Sequence, residues 1–330
     1  MSEWTIHGGR LSAARAAYPH AREPWLDLST GINPNAWDTE QVGRIDWCAL
    51  PDGPALLVLE AAAAEHFGVA ADRVCAMPGT EIGLRLLETM DLPTPHLHVE
   101  PSYGTHSEAF GGSRAISADQ LAAAQTGGGT LLLANPNNPD GRSLPPPMLL
   151  GLARQMAERE GWLIVDEAFA DARPDTSILP HLDGSEPVVI LRSFGKFFGL
   201  AGLRLGFMIA PASRIALLRR RLGSWPLSTA AIAIGTAAYR DWDWIAATRD
   251  RLANDAGALD AVLRRHGLEP IGDCPLFRLT INGDANSVFE RLARQGILTR
   301  PFAYAPTWLR FGLPGSEAAL DRLDRALADG

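Results

Sequence analysis

Lysine is almost missing from this chain. Among 330 residues there is one, Lys196, and the remaining 29 basic side chains are all arginines. A guanidinium stays protonated in water and cannot act as an amine nucleophile, whereas a lysine amine can lose its proton and attack a carbonyl. Arginine serves most surface roles, so one retained lysine points to covalent amine chemistry. Cysteine is scarce too: Cys48, Cys75 and Cys274 are odd in number and far apart, which fits neither a disulfide framework nor a zinc cage, and no metal site is expected. The net charge of −8 argues against broad binding to nucleic acid or to an anionic membrane surface. No apolar run is long enough to span a bilayer, and the opening Met1-Ser-Glu-Trp-Thr-Ile-His7 lacks a basic segment followed by an apolar one. The expectation is a cytoplasmic protein with a small-molecule partner, and with neither nucleic acid nor membrane.

What is present describes an ordinary globular chain, with 46% hydrophobic and 21% charged residues. Its length allows roughly two domains at about 150 residues each. Residues 1–35 read as an N-terminal arm or substrate loop: His7-Gly8-Gly9, an alanine-rich helix, then Trp25-Leu-Asp27-Leu breaking into Ser-Thr-Gly31-Ile-Asn33-Pro34. Residues 36–220 read as a large domain and 221–330 as a smaller α+β domain, with one long helix predicted from about Ala230 to His266.

Between residues 75 and 210 the pattern alternates apolar runs with helical stretches, which predicts an α/β fold with a mostly parallel sheet covered by helices in three layers. In such sheets ligands sit beyond the carboxyl ends of the strands. Gly79-Thr80, Tyr103, Asn138, Asp166, Ser193 and Lys196 all fall at or just after predicted strand ends, which places them at one shared site. Asp166 closes an apolar strand, and a carboxylate there needs a cationic or hydrogen-bonding partner. His96 and His98 alternate on one predicted strand without a third ligand, and read as surface strand residues rather than a metal site.

Ser193-x-x-Lys196-x₇-Arg204-x-Gly206 is the most specific segment, supported by Asn135-Pro-Asn-Asn138-Pro-x-Gly141 and Asp166-Glu-Ala-Phe169. Taken in their order along the chain, these motifs resemble the fold-type I pyridoxal phosphate enzymes, the aspartate-aminotransferase-like superfamily. The resemblance implies pyridoxal 5′-phosphate as cofactor and a homodimer as assembly. It implies that Lys196 binds the cofactor as a Schiff base and later shuttles protons, and that Asp166 pairs with the pyridine nitrogen. Tyr103 would stack on the ring and Asn138 would donate to its phenolic oxygen. Gly79, Thr80, Glu81 (through backbone), Ser193 and Arg204 would hold the phosphate.

The N-terminal motifs, His7-Gly8-Gly9 with Asp27-Leu-Ser-Thr-Gly31-Ile-Asn33-Pro34, are similar to those of the threonine-phosphate decarboxylases of cobalamin biosynthesis, relatives of the histidinol-phosphate aminotransferases. That likeness implies a small phosphorylated amino acid as substrate, lined by His7, Gly8, Gly31 and Asn138, with Arg300 and Arg310 serving its two anionic groups. Three departures stand out. Phe169 replaces a tyrosine that bonds the phenolic oxygen, Leu50 replaces a tyrosine that reaches the neighbouring subunit's phosphate, and Gly31 replaces an asparagine. Transamination of histidinol phosphate or another amino acid, serine-phosphate decarboxylation, and a non-catalytic cofactor-binding role remain alternatives, because arginine positions do not report which bond at the substrate's α-carbon is held perpendicular to the ring.

Overall fold

The computed structural model describes residues 8–121 and 128–328. The chain divides into two units. One comprises Met1–Asn35, Pro139–Arg142 and Ala247–Gly330, and the other comprises Ala36–Asn138 and Ser143–Ala246.

The larger unit is built on a seven-stranded sheet. Its strands lie in the order Val74–Met77, Gly206–Ile209, Val188–Ser193, Trp162–Asp166, Thr130–Ala134, His96–Glu100, Arg114–Ser117. Only Gly206–Ile209 is antiparallel to its neighbours. The central strands read as unbroken apolar runs because both faces are covered, and their residues are almost all buried. One face packs Met77, Leu84, Leu87, Val189, Leu191 and Met208 into a continuous core. Every strand but one points its carboxyl end the same way, so the loops that follow converge at one edge. The expectation of a mostly parallel sheet with covering helices is met.

The smaller unit carries a four-stranded antiparallel sheet, ordered Arg300–Phe302, Ala305–Gly312, Phe277–Ile281, Pro270–Ile271. The strongly amphipathic helix Ala285–Arg294 buries Val288, Phe289, Leu292 and Ala293. A second, two-residue parallel ladder pairs Leu26–Asp27 with Ile297–Leu298.

The domain expectation shifts in three ways. Residues 8–35 belong to the smaller unit rather than forming a separate arm, held there by the ladder at Leu26–Asp27 and by the Gly312 amide, which donates to the Leu28 carbonyl at 2.7 Å. The boundary expected near 220 falls between 246 and 247, inside the helix Trp242–Arg265, because the preceding helix Thr229–Arg240 packs against Gly53–Phe67 in the larger unit. The single long helix expected from Ala230 breaks at Asp241. Its Oδ1 accepts from the Trp244 amide at 3.1 Å and its Oδ2 from Trp37 Nε1 at 2.9 Å, so the aspartate starts a new helix rather than continuing the old one.

Candidate active site

Lys196 sits on the one-turn helix Phe194–Phe197 immediately after the strand Val188–Ser193. Phe194, Phe197 and Phe198 are fully buried, and Phe194 stacks on Phe198 with centroids 4.3 Å apart. Phe198 stacks in turn on Trp244 at 5.5 Å. Burying each ring contributes about 1.5–3 kcal/mol, and together they fix the turn so that Lys196, only partly buried, lines the cavity. Gly195 is required here, since a Cβ would come within 2.6 Å of Ala201 Cα.

The cavity lies at the strand ends of the larger unit and brings together Gly79, Thr80, Glu81, Tyr103, Asn138, Asp166, Ser193, Lys196 and Arg204. These are the nine residues that the resemblance implies for the cofactor. Phe169 lines the same wall, with Lys196 Nζ 5.8 Å from its ring centroid.

Asp166 is 5% exposed and ends its strand with the partners its burial demands. Its Oδ2 lies 3.0 Å from His106 Nε2, and its Oδ1 accepts from the Ala168 amide at 3.1 Å. His106 was not singled out in the sequence; the one available signal was that Asp166 needed a partner. Glu81 contributes more than its backbone. Its Oε2 accepts from Tyr103 Oη at 3.0 Å and Thr105 Oγ1 at 2.9 Å, and its Oε1 pairs with Arg85 at 3.1 Å. Burial, then the Glu81 charge, pushes the Tyr103 phenol up, so it stays protonated and donates.

The end of the cavity expected to hold the phosphate is a tight backbone cradle. Gly79 has φ +86°, and a Cβ there would meet Arg204 Nη2 at 2.7 Å. Gly206 faces the same place: its Cβ would meet the Thr80 amide nitrogen at 2.8 Å. Arg204 itself takes a left-handed φ of 55°, a strained conformation for a non-glycine residue, and Arg204 Nη1 donates to the Ala201 carbonyl at 3.0 Å.

Four of the five residues expected to serve only the substrate lie in the smaller unit. Arg300 and Arg310 face each other directly across antiparallel strands. Arg310 is 5% exposed, and Arg310 Nη2 donates to the Ser29 carbonyl at 2.8 Å. Gly8 packs so closely on Ser29 that a Cβ would overlap its carbonyl oxygen, and the Gly9 amide donates to Ser29 Oγ at 2.8 Å. Gly31 is buried in the same unit. His7, the fifth, lies outside the described residues.

His98 corrects an expectation. It is 2% exposed rather than on the surface, with Nδ1 2.8 Å from Ser113 Oγ and Nε2 3.1 Å from Glu100 Oε1. Its strand lies between two parallel neighbours. Cys48 is exposed, Cys75 and Cys274 are buried, and all three are free. Burial pushes both buried thiols up to about 12, which makes them inert. Among the described residues, no helix is long and apolar enough to cross a membrane.

A mostly parallel sheet with an amine and a buried carboxylate at its strand ends defines a fold-type I enzyme. The chain belongs to the family described as aminotransferase class I and II, whose match spans residues 50–327. It is 40% identical to a threonine-phosphate decarboxylase from Sinorhizobium sp over 334 aligned positions, covering 99% of both chains. It is 37% identical to the threonine-phosphate decarboxylase of Pseudomonas aeruginosa over 97% of this chain and 96% of that one. Among solved structures it resembles histidinol-phosphate aminotransferase from Sinorhizobium meliloti in complex with pyridoxal-5′-phosphate, with TM-score 0.82 and 21% identity over 96% of this chain and 93% of that one. It also resembles L-threonine-O-3-phosphate decarboxylase from Porphyromonas gingivalis, with TM-score 0.77 and 18% identity over 92% of this chain and 98% of that one.

Pyridoxal 5′-phosphate is the family's cofactor, and the residues present fit it. The cavity offers an amine, an ionisable carboxylate already fixed by two donors, an aromatic wall, and a cradle that a single Cβ would fill.

Proposed function

We propose that this chain removes CO₂ from L-threonine O-3-phosphate to give (R)-1-amino-2-propanol O-2-phosphate, as a cytoplasmic homodimer in the making of cobalamin. What carries this reading is the near-full-length likeness, 40% identical over 99% of both chains, to a threonine-phosphate decarboxylase.

When bound, the cofactor supplies an electron-withdrawing ring that accepts the electron pair left by a broken bond at the substrate's α-carbon. The chain's own residues do the rest. Lys196 Nζ holds the cofactor and then carries a proton to that carbon. Asp166, fixed by His106 and the Ala168 amide, lies at the cavity wall, where it would pair with the cofactor's ring nitrogen. Tyr103, anchored through its hydroxyl to Glu81, supplies an apolar face. Gly79, Thr80, Ser193 and Arg204 hold the phosphate, and Asn138 donates a hydrogen bond. In the smaller unit, Arg300 and Arg310 receive the substrate's carboxylate and phosphate, with Gly8 and Gly31 shaping the backbone beside them. Bidentate guanidinium pairing suits both anions. Trp47, Leu50, Leu57 and Trp225 are 60–76% exposed on the larger unit, apolar area that supports association of two copies.

The test is to incubate the protein with pyridoxal 5′-phosphate and L-threonine O-3-phosphate, without a keto-acid acceptor. Release of CO₂ and aminopropanol phosphate over many turnovers is expected. Turnover only with 2-oxoglutarate would instead make the chain an aminotransferase. Light scattering should give twice the chain mass.

A further inference from the structure

Behind the cavity wall, four buried polar side chains form a cluster to which the functional reading gives no role. Arg192 precedes Ser193 in the strand Val188–Ser193, and Glu167 follows Asp166 at the end of Trp162–Asp166. Successive strand residues point to opposite faces. Ser193 and Asp166 line the cavity, while Arg192 and Glu167 turn away from it. Arg192 Nη1 donates to Glu167 Oε2 at 2.8 Å, and Nη2 donates to Asp171 Oδ1 at 2.5 Å. Glu167 also accepts from Ser177 Oγ at 2.7 Å and from the Ile178 amide at 3.0 Å. Asp171 Oδ1 lies 3.3 Å from His66 Nε2. None of the four side chains is more than 4% exposed.

We propose that Arg192 is a positioning residue, whose guanidinium pins both ends of the segment 167–171 to the strand carrying Ser193 and so holds Asp166 and Phe169 in place at the Lys196 cavity. The proposal rests on the reading that this cavity takes pyridoxal 5′-phosphate.

Stability alone does not account for such a cluster. Buried ion pairs regain little more than their desolvation cost, and apolar residues of similar volume pack as stably. Two carboxylates against one guanidinium make the exchange less favourable still. What an apolar trio lacks is direction. The planar fork of Arg192 offers donors along two lines, one toward each end of the segment, which a point-charge ammonium cannot reproduce. Direction matters here because the segment leaves the sheet at Asp166. Beyond the Glu167 amide, which donates to the Leu191 carbonyl at 2.9 Å, its backbone is ordered locally, the Ala168 amide donating to Asp166 Oδ1 at 3.1 Å and the Ala170 amide to the Glu167 carbonyl at 3.0 Å. Phe169 lies between the two pinned carboxylates, and its ring faces Lys196.

Two variants test this: Arg192→Lys, and the triple change Arg192→Met, Glu167→Gln, Asp171→Asn, which leaves no buried charge unpaired. Each is compared with wild type by thermal melting without cofactor, by absorbance titration with pyridoxal 5′-phosphate, and by steady-state kinetics with L-threonine O-3-phosphate. Both variants should melt cooperatively, yet bind cofactor about tenfold more weakly and lose on the order of 100-fold in kcat, with KM within about threefold, as expected for a small misplacement of reacting groups. The pH at which the absorbance of bound cofactor changes should shift in both, because Asp166 faces the ring differently. A folded triple variant with wild-type cofactor affinity and kcat overturns the proposal. So does failure of both variants to fold, which would assign the cluster to stability. Wild-type protein that takes up no cofactor would sink the reading of the cavity instead.

Discussion

His106 Nε2 lies 3.0 Å from Asp166 Oδ2, with the histidine wholly out of solvent and its ring edge-on to Tyr103 at 6.1 Å. One imidazole therefore touches both the carboxylate and the aromatic wall of the cavity. Removing it strands a buried carboxylate. His106→Leu should cost about 1–3 kcal/mol of stability, the desolvation cost of the unmet acceptor. It should also lower kcat on the order of 100-fold through loss of alignment at Asp166. His106→Gln keeps a donor and should recover much of both. Urea melts and steady-state kinetics on the two variants decide; equal losses in both would mean that the hydrogen bond is not what matters.

Arg300 and Arg310 are a like-charged cross-strand pair, which destabilises the unliganded unit. Burial, then the Arg300 charge, pushes the Arg310 guanidinium down to about 9. Arg310 still carries its charge at neutral pH, so the shift marks how costly the buried, like-charged pair is until an anion arrives to offset it. Arg300→Leu should raise unliganded stability by up to about 1 kcal/mol and weaken phosphate or substrate binding about tenfold at neutral pH, equivalent to ~1.4 kcal/mol. Thermal melts and phosphate titrations at pH 7 read both; unchanged phosphate affinity would remove Arg300 from anion capture.

Gly79→Ala places a Cβ 2.7 Å from Arg204 Nη2 at a backbone φ of +86°. Both the contact and the conformation oppose it, so the variant should lose about 1–3 kcal/mol and bind pyridoxal 5′-phosphate more weakly. The affinity loss should exceed that of Gly202→Ala, where a Cβ meets nothing within 4 Å. Equal cofactor affinity in the two variants would remove Gly79 from the cradle.

Lys196→Ala should abolish repeated turnover. Borohydride treatment of the cofactor-loaded wild type should leave the reduced cofactor attached to the peptide containing Lys196, with loss of the aldehyde oxygen as water, and the variant should gain nothing. Retained multiple turnover in the variant would defeat the assignment of the amine.

Much of this site was legible because parallel strands write themselves plainly. Each buried strand is an apolar run, and the first polar or glycine residue after it marks the edge where ligands bind, as at Met77-Pro-Gly79, Val165-Asp166 and Ser193. Lys196 was conspicuous by its isolation in composition. His106 was not legible, because Gly104-Thr-His106-Ser lies in a short 3₁₀ turn with no periodicity to assign its direction. Arg192 carried no signal of its own; its two acids lie 21 and 25 positions earlier, beyond any local pattern. The boundary at 246 was hidden because one helix runs through it without a break. Membership of Pro139–Arg142 in the smaller unit shows in backbone contacts far apart in sequence: the Asp273 amide donates to the Gly141 carbonyl at 3.1 Å, and Gly272 packs too closely there for any side chain.

The parallel ladder that joins Leu26–Asp27 to Ile297–Leu298 sets a timetable for synthesis. The first strand emerges from the ribosome about 270 residues before its partner, a wait of about 15–55 s at ~5–20 residues per second. Within that interval the nascent chain gains Asp166 and then Lys196, before it has Arg310, so its cofactor pocket can mature ahead of its arginine pair. A chain cut short near residue 250 would keep every cavity residue and still lack the partner strand of its own N-terminus.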